Sequence, residues 1–597
     1  MQKQRLLPML LIPLILLGIA LVHPLHVSAA TIAVTAGTVD ETDNGNCSLY
    51  EAVEAANTGT TVDECVGSSG ADTINIPDGT YNLAATSHNL QLDSDISLVG
   101  TSRSGTILNG GDTYGLTVTS GNISLSTLTV EHGVGLYSNS STISSVTIDN
   151  TIWQDNSTET GTQRSGIDIS RSSGSAEAFT MTNSIVRNNT AGEGGGVYAR
   201  GFDEATITNI EVYGNTETST HQKSAVDIRA TTVTVSDSNF HDNTKVTALN
   251  VSGDNVTIRD TVVRNNTGDH LAGLGGGINI FTESDSGTER VATLENVAIV
   301  NNQGQAMLVV SNDNFGYTFN ARNVTIANNT SLLPVFYAYT NSETDPVAGH
   351  VDNVTIANNT RTGPLGDGSF TSFAAAFIIG AKVDPTLQLK NVLMANNKDE
   401  TTPTNCMAAS NDTRNPISAG NNFSSDSSCT AFLNQASDQN NKDAQIDTLV
   451  AEANTWVVPL KAGSPAINTG GVVAGLTTDQ RGIARPQGSA YDIGAYEWNG
   501  IASNNTTSNT KGGGNAPLAE TGVITTSTII LGAIILLALI VIFFDYRKHK
   551  RPLTEIDPNV SYSFGHHIRV VTIPLLRYRL QVKISKSSND PTGVHKF

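Results

Sequence analysis

Few residues in this 597-residue chain have the types and spacing that chemistry needs. Arg187 and Arg264 stand at equivalent positions, each just before an asparagine pair, and so fall on one face. Such a stacked column is more often a solvated surface. Asp93 and Asp95 hint at a cation site but lack the remaining oxygen ligands of a calcium loop. The pair His566 and His567 has no further ligand beside it. Glycine triplets at 194–196 and 275–277 have no Lys-Ser/Thr after them and no helix to open, so they do not read as phosphate cradles. They suit corners where backbones of neighbouring segments approach closely. The HExxH, GxSxG and Walker signatures are absent. The residues thus name no catalytic set, no metal and no cofactor, with a structural calcium left open.

Composition narrows the partners. Lys and Arg number 34 against 55 Asp and Glu, giving a net charge of −21, and only 15% of residues are charged. An acidic chain lacks the basic face that phosphate contacts require, so no nucleic-acid partner is expected. Ser, Thr and Asn fill the space that charge leaves, yet the apolar residues recur in a pattern, which argues against disorder.

The ends read as targeting segments. Lys3 and Arg5 precede an apolar run at 6–22, and Ser28, Ala29 and Ala30 follow; residues 1–30 are expected to be a signal peptide, with an uncleaved anchor as the alternative. Residues 523–544 form an uncharged apolar run long enough for a transmembrane helix. Arg547, Lys548, Lys550 and Arg551 come next, which places the basic tail 545–597 in the cytoplasm and the acidic remainder outside. The Gly- and Asn-rich stretch 499–517 is a flexible linker. The tail segment 566–584 carries basic residues that suit an anionic inner leaflet, and its alternation equally suits a short hairpin.

The middle is repetitive. NVTIANNT occurs at 323–330 and again at 353–360, and looser copies begin at Asn150, Asn183, Asn209, Asp237, Asp260, Asn296 and Asn391. The last asparagine of each seven-residue phrase falls at 156, 189, 215, 243, 266, 302, 329, 359 and 397. The gaps average about 30 residues, within the solenoid range. Val324 and Ile326 alternate with Thr325, so one strand face is apolar and the other carries Thr. The asparagine pair ends the strand, because Asn tolerates left-handed angles. A strand this short needs stacked neighbours, and asparagine at one position can then form a ladder. Connecting segments of varying length fit a parallel β-helix, whose extra residues loop out. About 12–13 coils at ~4.8 Å would make a rod of ~60 Å. A propeller or a β-sandwich is the alternative.

Several phrases carry family resemblances. The Gly-Gly-apolar stretches and Phe240–Asn243 resemble the polymorphic membrane protein type of right-handed parallel β-helix, which implies an all-β solenoid over 101–402. The stretch 47–58, CSLYEAVEAANT, is the best helical window of the exported part: Leu49, Val53 and Ala56 share a face, and Ser48 with Glu51 makes a capping box. With DTINIPDGTYNL at 72–83 it resembles the CSLREA domain of secreted bacterial proteins, with Tyr50 in place of that family's Arg. The resemblance implies an N-terminal cap over 31–100. Residues 403–498 resemble the choice-of-anchor Q domain through GNNFSSDSSC, PLKAGSPAINTG, DQRGIARP and DIGAYE, and are expected to cover the other end. The pairs Cys47 with Cys65 and Cys406 with Cys429 would each staple one cap, contributing roughly 3 kcal/mol apiece. Four reduced buried cysteines are the alternative. Leu518, Ala519, Glu520, Thr521 and Gly522, at 518–522, resemble a sortase signal with Ala519 for the usual Pro. That resemblance implies cleavage between Thr521 and Gly522 and linkage to the cell wall, although 46 residues follow Arg551 where such signals usually stop.

Two function classes follow. One is a non-catalytic cell-surface protein, held by the bacterial membrane or by sortase and the cell wall, that contacts an extracellular glycan or protein as an adhesin does. The other is a surface-anchored polysaccharide lyase or glycoside hydrolase, because right-handed β-helices host pectate lyases and polygalacturonases. The chain has no adjacent Asp-Asp, no Gly-His-Gly and no Arg-Ile-Lys of that kind.

Overall fold

The repeated phrase folds as it does because two of its positions demand left-handed backbone. In all nine copies the first residue has φ between 49° and 56° and the sixth between 53° and 66°. Only Asn, Asp and Gly occupy these eighteen corners. They are the residue types that reach this region at least cost. Between the corners runs a short strand such as Ile152–Gln154 or Ile185–Arg187.

The seventh residue does something different. All nine of these asparagines are 2% exposed or less. Each donates through Nδ2 to Oδ1 of the asparagine one coil on, at 2.9–3.1 Å, and Asn405 continues the series after Asn397. That Oδ1 also accepts the backbone amide of the asparagine before it. The second Nδ2 proton goes to a strand carbonyl of the preceding coil, Trp153 O for Asn189 and Phe240 O for Asn266. The expected ladder exists, and it satisfies buried polar groups that no strand pairing reaches.

The computed structural model describes residues 29–500 apart from 159–164, 172–173, 175, 193, 219–223, 269–274, 282–289, 312–315, 341, 343, 363–376, 381–383 and 407–413; it also describes 568–575 and 578–584. Three parallel sheets wind through it. A long sheet holds strands such as Thr142–Asp149 and Ala176–Thr182. A phrase sheet holds the short strands just described. A return sheet holds Ile167–Ser170, Thr247–Ser252 and Ile278–Phe281 among others. The phrase sheet stacks through thirteen successive parallel pairings among the described residues, from Gly79–Asn82 to Gln439–Asn440. At about 4.8 Å per rung this spans roughly 60 Å. Inward residues form one continuous apolar core, with Trp153, Phe179, Phe240 and Phe319 fully buried. The glycine triplets sit where coils touch: a Cβ on Gly196 or Gly277 would lie 1.9 Å from the carbonyl oxygen of Ala225 or Ala306.

The N-terminal end is closed by the helix Leu49–Thr58. Its capping box is formed, and Leu49, Val53 and Ala56 are buried on the first coil. Cys47 is bonded to Cys65 and Cys406 to Cys429.

The C-terminal region departs from the expectation of a simple end cover. Cys406, Cys429, Phe432 and Leu433 join the end of the core. Residues 444–498 instead fold back along the flank of the rod. Val457, Leu460, Ala466, Ile493 and Tyr496 pack there on Ala298, Val300, Ala327, Ala357 and Ala395. The strand face that carries Thr is therefore buried here: Thr325 donates to Gln480 at 2.6 Å, and Thr355 accepts the amide of Ala495 at 2.9 Å. Asn391 and Gly471 exchange two 2.7 Å bonds. The DQRGIARP and DIGAYE phrases meet inside this lobe, where Arg485 pairs with Glu497 at 2.8 Å with neither side chain exposed. Arg481 lies 3.6 Å from the Tyr496 ring centroid and pairs with Asp479. These phrases thus build a lobe core rather than a reactive site.

The strands Ile568–Leu575 and Tyr578–Ile584 form an antiparallel pair. Of the segment 1–30 read as a signal peptide, residues 1–28 lie outside the described residues, as do 501–517 of the stretch 499–517 read as a linker, the sorting-like residues Leu518, Ala519, Glu520, Thr521 and Gly522, and the apolar run 523–544. Among the described residues no helix is long and apolar enough to cross a membrane.

Two outcomes are expected. Asn243→Leu strips the acceptor from the Asn215 amide and should cost about 2–3 kcal/mol, read as a lowered thermal midpoint; Asn188→Gly, at a left-handed corner, should leave the midpoint nearly unchanged. Ala357→Glu should release the lobe, so that limited proteolysis cuts within 444–498 while the rod persists.

Candidate functional site

Alternation along the return sheet sends every second side chain outward. Ile167 and Ile169, Val226 and Ile228, and Ile278 and Ile280 point into the core. The residues between them form an outer column, and the register is continuous: Tyr137 pairs with Asp168, then Tyr198, Asp227, Asn250 and Asn279 follow on successive coils. Arg200 and Arg229 stand side by side in the neighbouring column.

These outward groups are unusual in being covered. Asp168, Asp227, Asn250 and Asn279 are each exposed by less than a tenth, whereas Tyr137 at the column's start is 46% exposed. The segments of varying length flank this sheet. Arg200 Nη2 pairs with Asp227 Oδ2 at 2.8 Å, and Arg229 Nε lies 3.5 Å from Asp227 Oδ1. The Arg200 guanidinium sits 4.2 Å from the Tyr198 ring centroid. Asn279 Nδ2 reaches Thr247 Oγ1 at 3.4 Å, while among the described residues its buried Oδ1 has no hydrogen-bond partner. The column therefore offers one carboxylate held between two guanidinium groups, flanked by tyrosine rings and amides. Such groups bind hydroxyls and carboxylates directionally and stack on apolar ring faces.

The arginines singled out from sequence lie on a different face. Gln154, Arg187, Tyr213, His241 and Arg264 share one column of the phrase sheet. Arg187 and Arg264 are in line, as their spacing implies, but they do not meet. Arg187 donates to Gln154 and to the Tyr213 hydroxyl at 2.9 Å. Tyr213 stacks on His241, which is held by Glu211 at 3.0 Å and Asp242 at 2.7 Å. The His241 contact holds the Asp242 carboxyl below its ordinary range, and burial pulls Arg264 down. Beyond Arg264 the column turns to Val300, Ala327, Ala357 and Ala395 and passes under the lobe.

Asp93 and Asp95 engage the next coil separately: Asp93 accepts the Thr119 hydroxyl, and Asp95 accepts the Asn122 amide at 2.7 Å. Among the described residues no group of three or more His, Cys, Asp or Glu side chains is placed to hold a metal. The return-sheet column escaped sequence reading because its members sit in strands whose spacing varies. Its signal is the x in each apolar-x-apolar triplet that opens these strands, as in Ile-Asp-Ile, Val-Asp-Ile and Ile-Asn-Ile.

Arg200→Ala should leave Asp227 with its distant partner alone and cost about 2 kcal/mol at neutral pH. The double variant with Asp227→Asn should recover most of that loss in thermal denaturation.

Residues 165–361 match the family described as right handed beta helix region. No curated protein matches the chain. Among solved structures it is similar to the pectate lyase Pel9A, at 13% identity over 79% of this chain and 96% of that one, with a TM-score of 0.31. It is also similar to the alginate lyase AlyF-OU02 in complex with G6, at 13% identity over 66% and 86%, TM-score 0.34. A third is the A-module of mannuronan C-5 epimerase AlgE6 from Azotobacter vinelandii, at 12% identity over 59% and 91%, TM-score 0.23. These values carry no argument about chemistry. The long repetitive part of this chain is a right-handed parallel β-helix.

Proposed function

We propose that this protein is a non-catalytic cell-surface β-helix that contacts extracellular glycans along its return sheet. The observation that carries the reading is the accessible part of the outer column, where Tyr137 is exposed and Tyr198 and Arg200 are half-buried, held in place by the covered Asp227. Rungs about 4.8 Å apart present such groups at intervals comparable to a sugar ring, which suits a linear glycan laid along the rod. The two disulfides fit an exported location. Anchoring rests on the apolar run 523–544 and the basic residues after it, or on sortase joining Thr521 to the cell wall. The resemblances to the CSLREA and choice-of-anchor Q domains support the same surface setting.

A polysaccharide lyase or hydrolase on the same face is the second reading. It is favoured by Asp227 lying between two guanidinium groups with Tyr198 beside Arg200, a set that could neutralise a uronate and move a proton. A glycan array probed with the full chain, with product analysis of every positive, separates the two. Binding without cleavage, lost in a Tyr198→Ala, Arg200→Ala variant, is the expected result. New reducing or unsaturated ends would replace the first reading by the second, and binding that the double variant retains would remove the column from both.

A further inference from the structure

Two bonds near the end of the apolar leader have short, uncharged side chains at the positions that leader removal requires. Val27 and Ala29 stand third and first before a cut at Ala29–Ala30, and Ser28 and Ala30 stand so before a cut at Ala30–Thr31. Reading 1–30 as the leader takes the second bond. The fold favours the first.

Ala30 belongs to the folded rod. Its carbonyl accepts the Thr73 amide at 2.9 Å, directly ahead of the strand Thr31–Ala33, which pairs in parallel with residues 73–75. Its nitrogen lies 2.7 Å from Asp72 Oδ1 and 3.1 Å from Ser68 Oγ. A peptide nitrogen carries one proton, and here two acceptors face it, whereas an ammonium group carries three. Ala29, on the other side of the bond, is exposed.

The charge at Asp72 is a separate observation. This residue opens the strand Asp72–Ile76 and is fully buried. Besides the Ala30 nitrogen, its carboxylate accepts the Ser68 amide at 2.8 Å and the Ser68 hydroxyl. Among the described residues no Lys, Arg or His side chain pairs with it. A carboxylate buried this far is costly unless its charge is met.

We propose that a signal peptidase cuts Ala29–Ala30, and that the new α-ammonium group of Ala30 pairs with the buried Asp72 carboxylate and fastens the first strand to the rod. Water adds across the amide bond. The Ala29 carbonyl leaves with residues 1–29 as a carboxylate, and the Ala30 nitrogen becomes an ammonium group that keeps its Asp72 and Ser68 contacts. A cut one residue later would remove both contacts and the bond from Thr73 to the Ala30 carbonyl. The buried charge is met once the leader is gone, so removal of the leader completes the N-terminal end of the fold.

Mass spectrometry of the N-terminal peptide, after the full chain is expressed in a bacterial host that exports it, tests the cut. A chain that starts at Ala30 is expected; a start at Thr31, or a retained leader, overturns the proposal. Competitive acetylation of the same α-amine across a range of pH tests the pairing. The amine should titrate about one unit above the usual 7.7–8.0, because the adjacent carboxylate favours its charged form. Asp72→Asn keeps an oxygen for the Ala30 nitrogen but removes the charge, and should return the amine to its ordinary value. An α-amine that titrates in the folded parent as it does in the denatured chain overturns the pairing, whether or not the variant folds.

Discussion

The buried asparagine ladder is the constraint on which the rest depends. A β-helix must turn its chain at every coil, and each turn strands backbone polar groups that sheet pairing cannot reach. Here one side chain per coil meets that demand: its oxygen accepts from two donors and its NH₂ donates to two acceptors. No other neutral side chain of that size carries both functions. Once the seventh position is fixed inside, the left-handed corners at the first and sixth follow, and the strand between them has no freedom of register.

Fixing the interior sets three different outer faces. The phrase sheet carries interlocked polar groups as far as Arg264, then an alanine-rich strip that the chain's own lobe covers. The return sheet carries a covered polar column beside variable connections. The ends are closed by a disulfide-tied helix on one side and by the Cys406–Cys429 segment on the other. Variation is confined to positions the ladder does not use, so one scaffold tolerates different surfaces.

Much of this was legible in the residues. The spacing of asparagines located the coils, the glycine triplets located the close approaches, and Ser48 with Glu51 located the cap. The lobe's position was harder to read. Its signal lay in the fifth residue of the phrase, which passes from Gln154, Arg187, Tyr213, His241 and Arg264 to Val300, Ala327, Ala357 and Ala395. A small apolar residue on an outward position announces a partner, but a period-of-two reading credits only the inward face. The return-sheet column was hidden for a different reason: no fixed interval links its members, and only strand pairing brings them into line.

Hydrogen–deuterium exchange at the backbone amides of the ladder asparagines tests the account most directly. These amides lie in turns, and each is bonded to the side-chain oxygen of the next coil. The account predicts protection as strong as that of the adjacent strands, uniform from Asn156 to Asn359. Exchange on the timescale of open loops would contradict it.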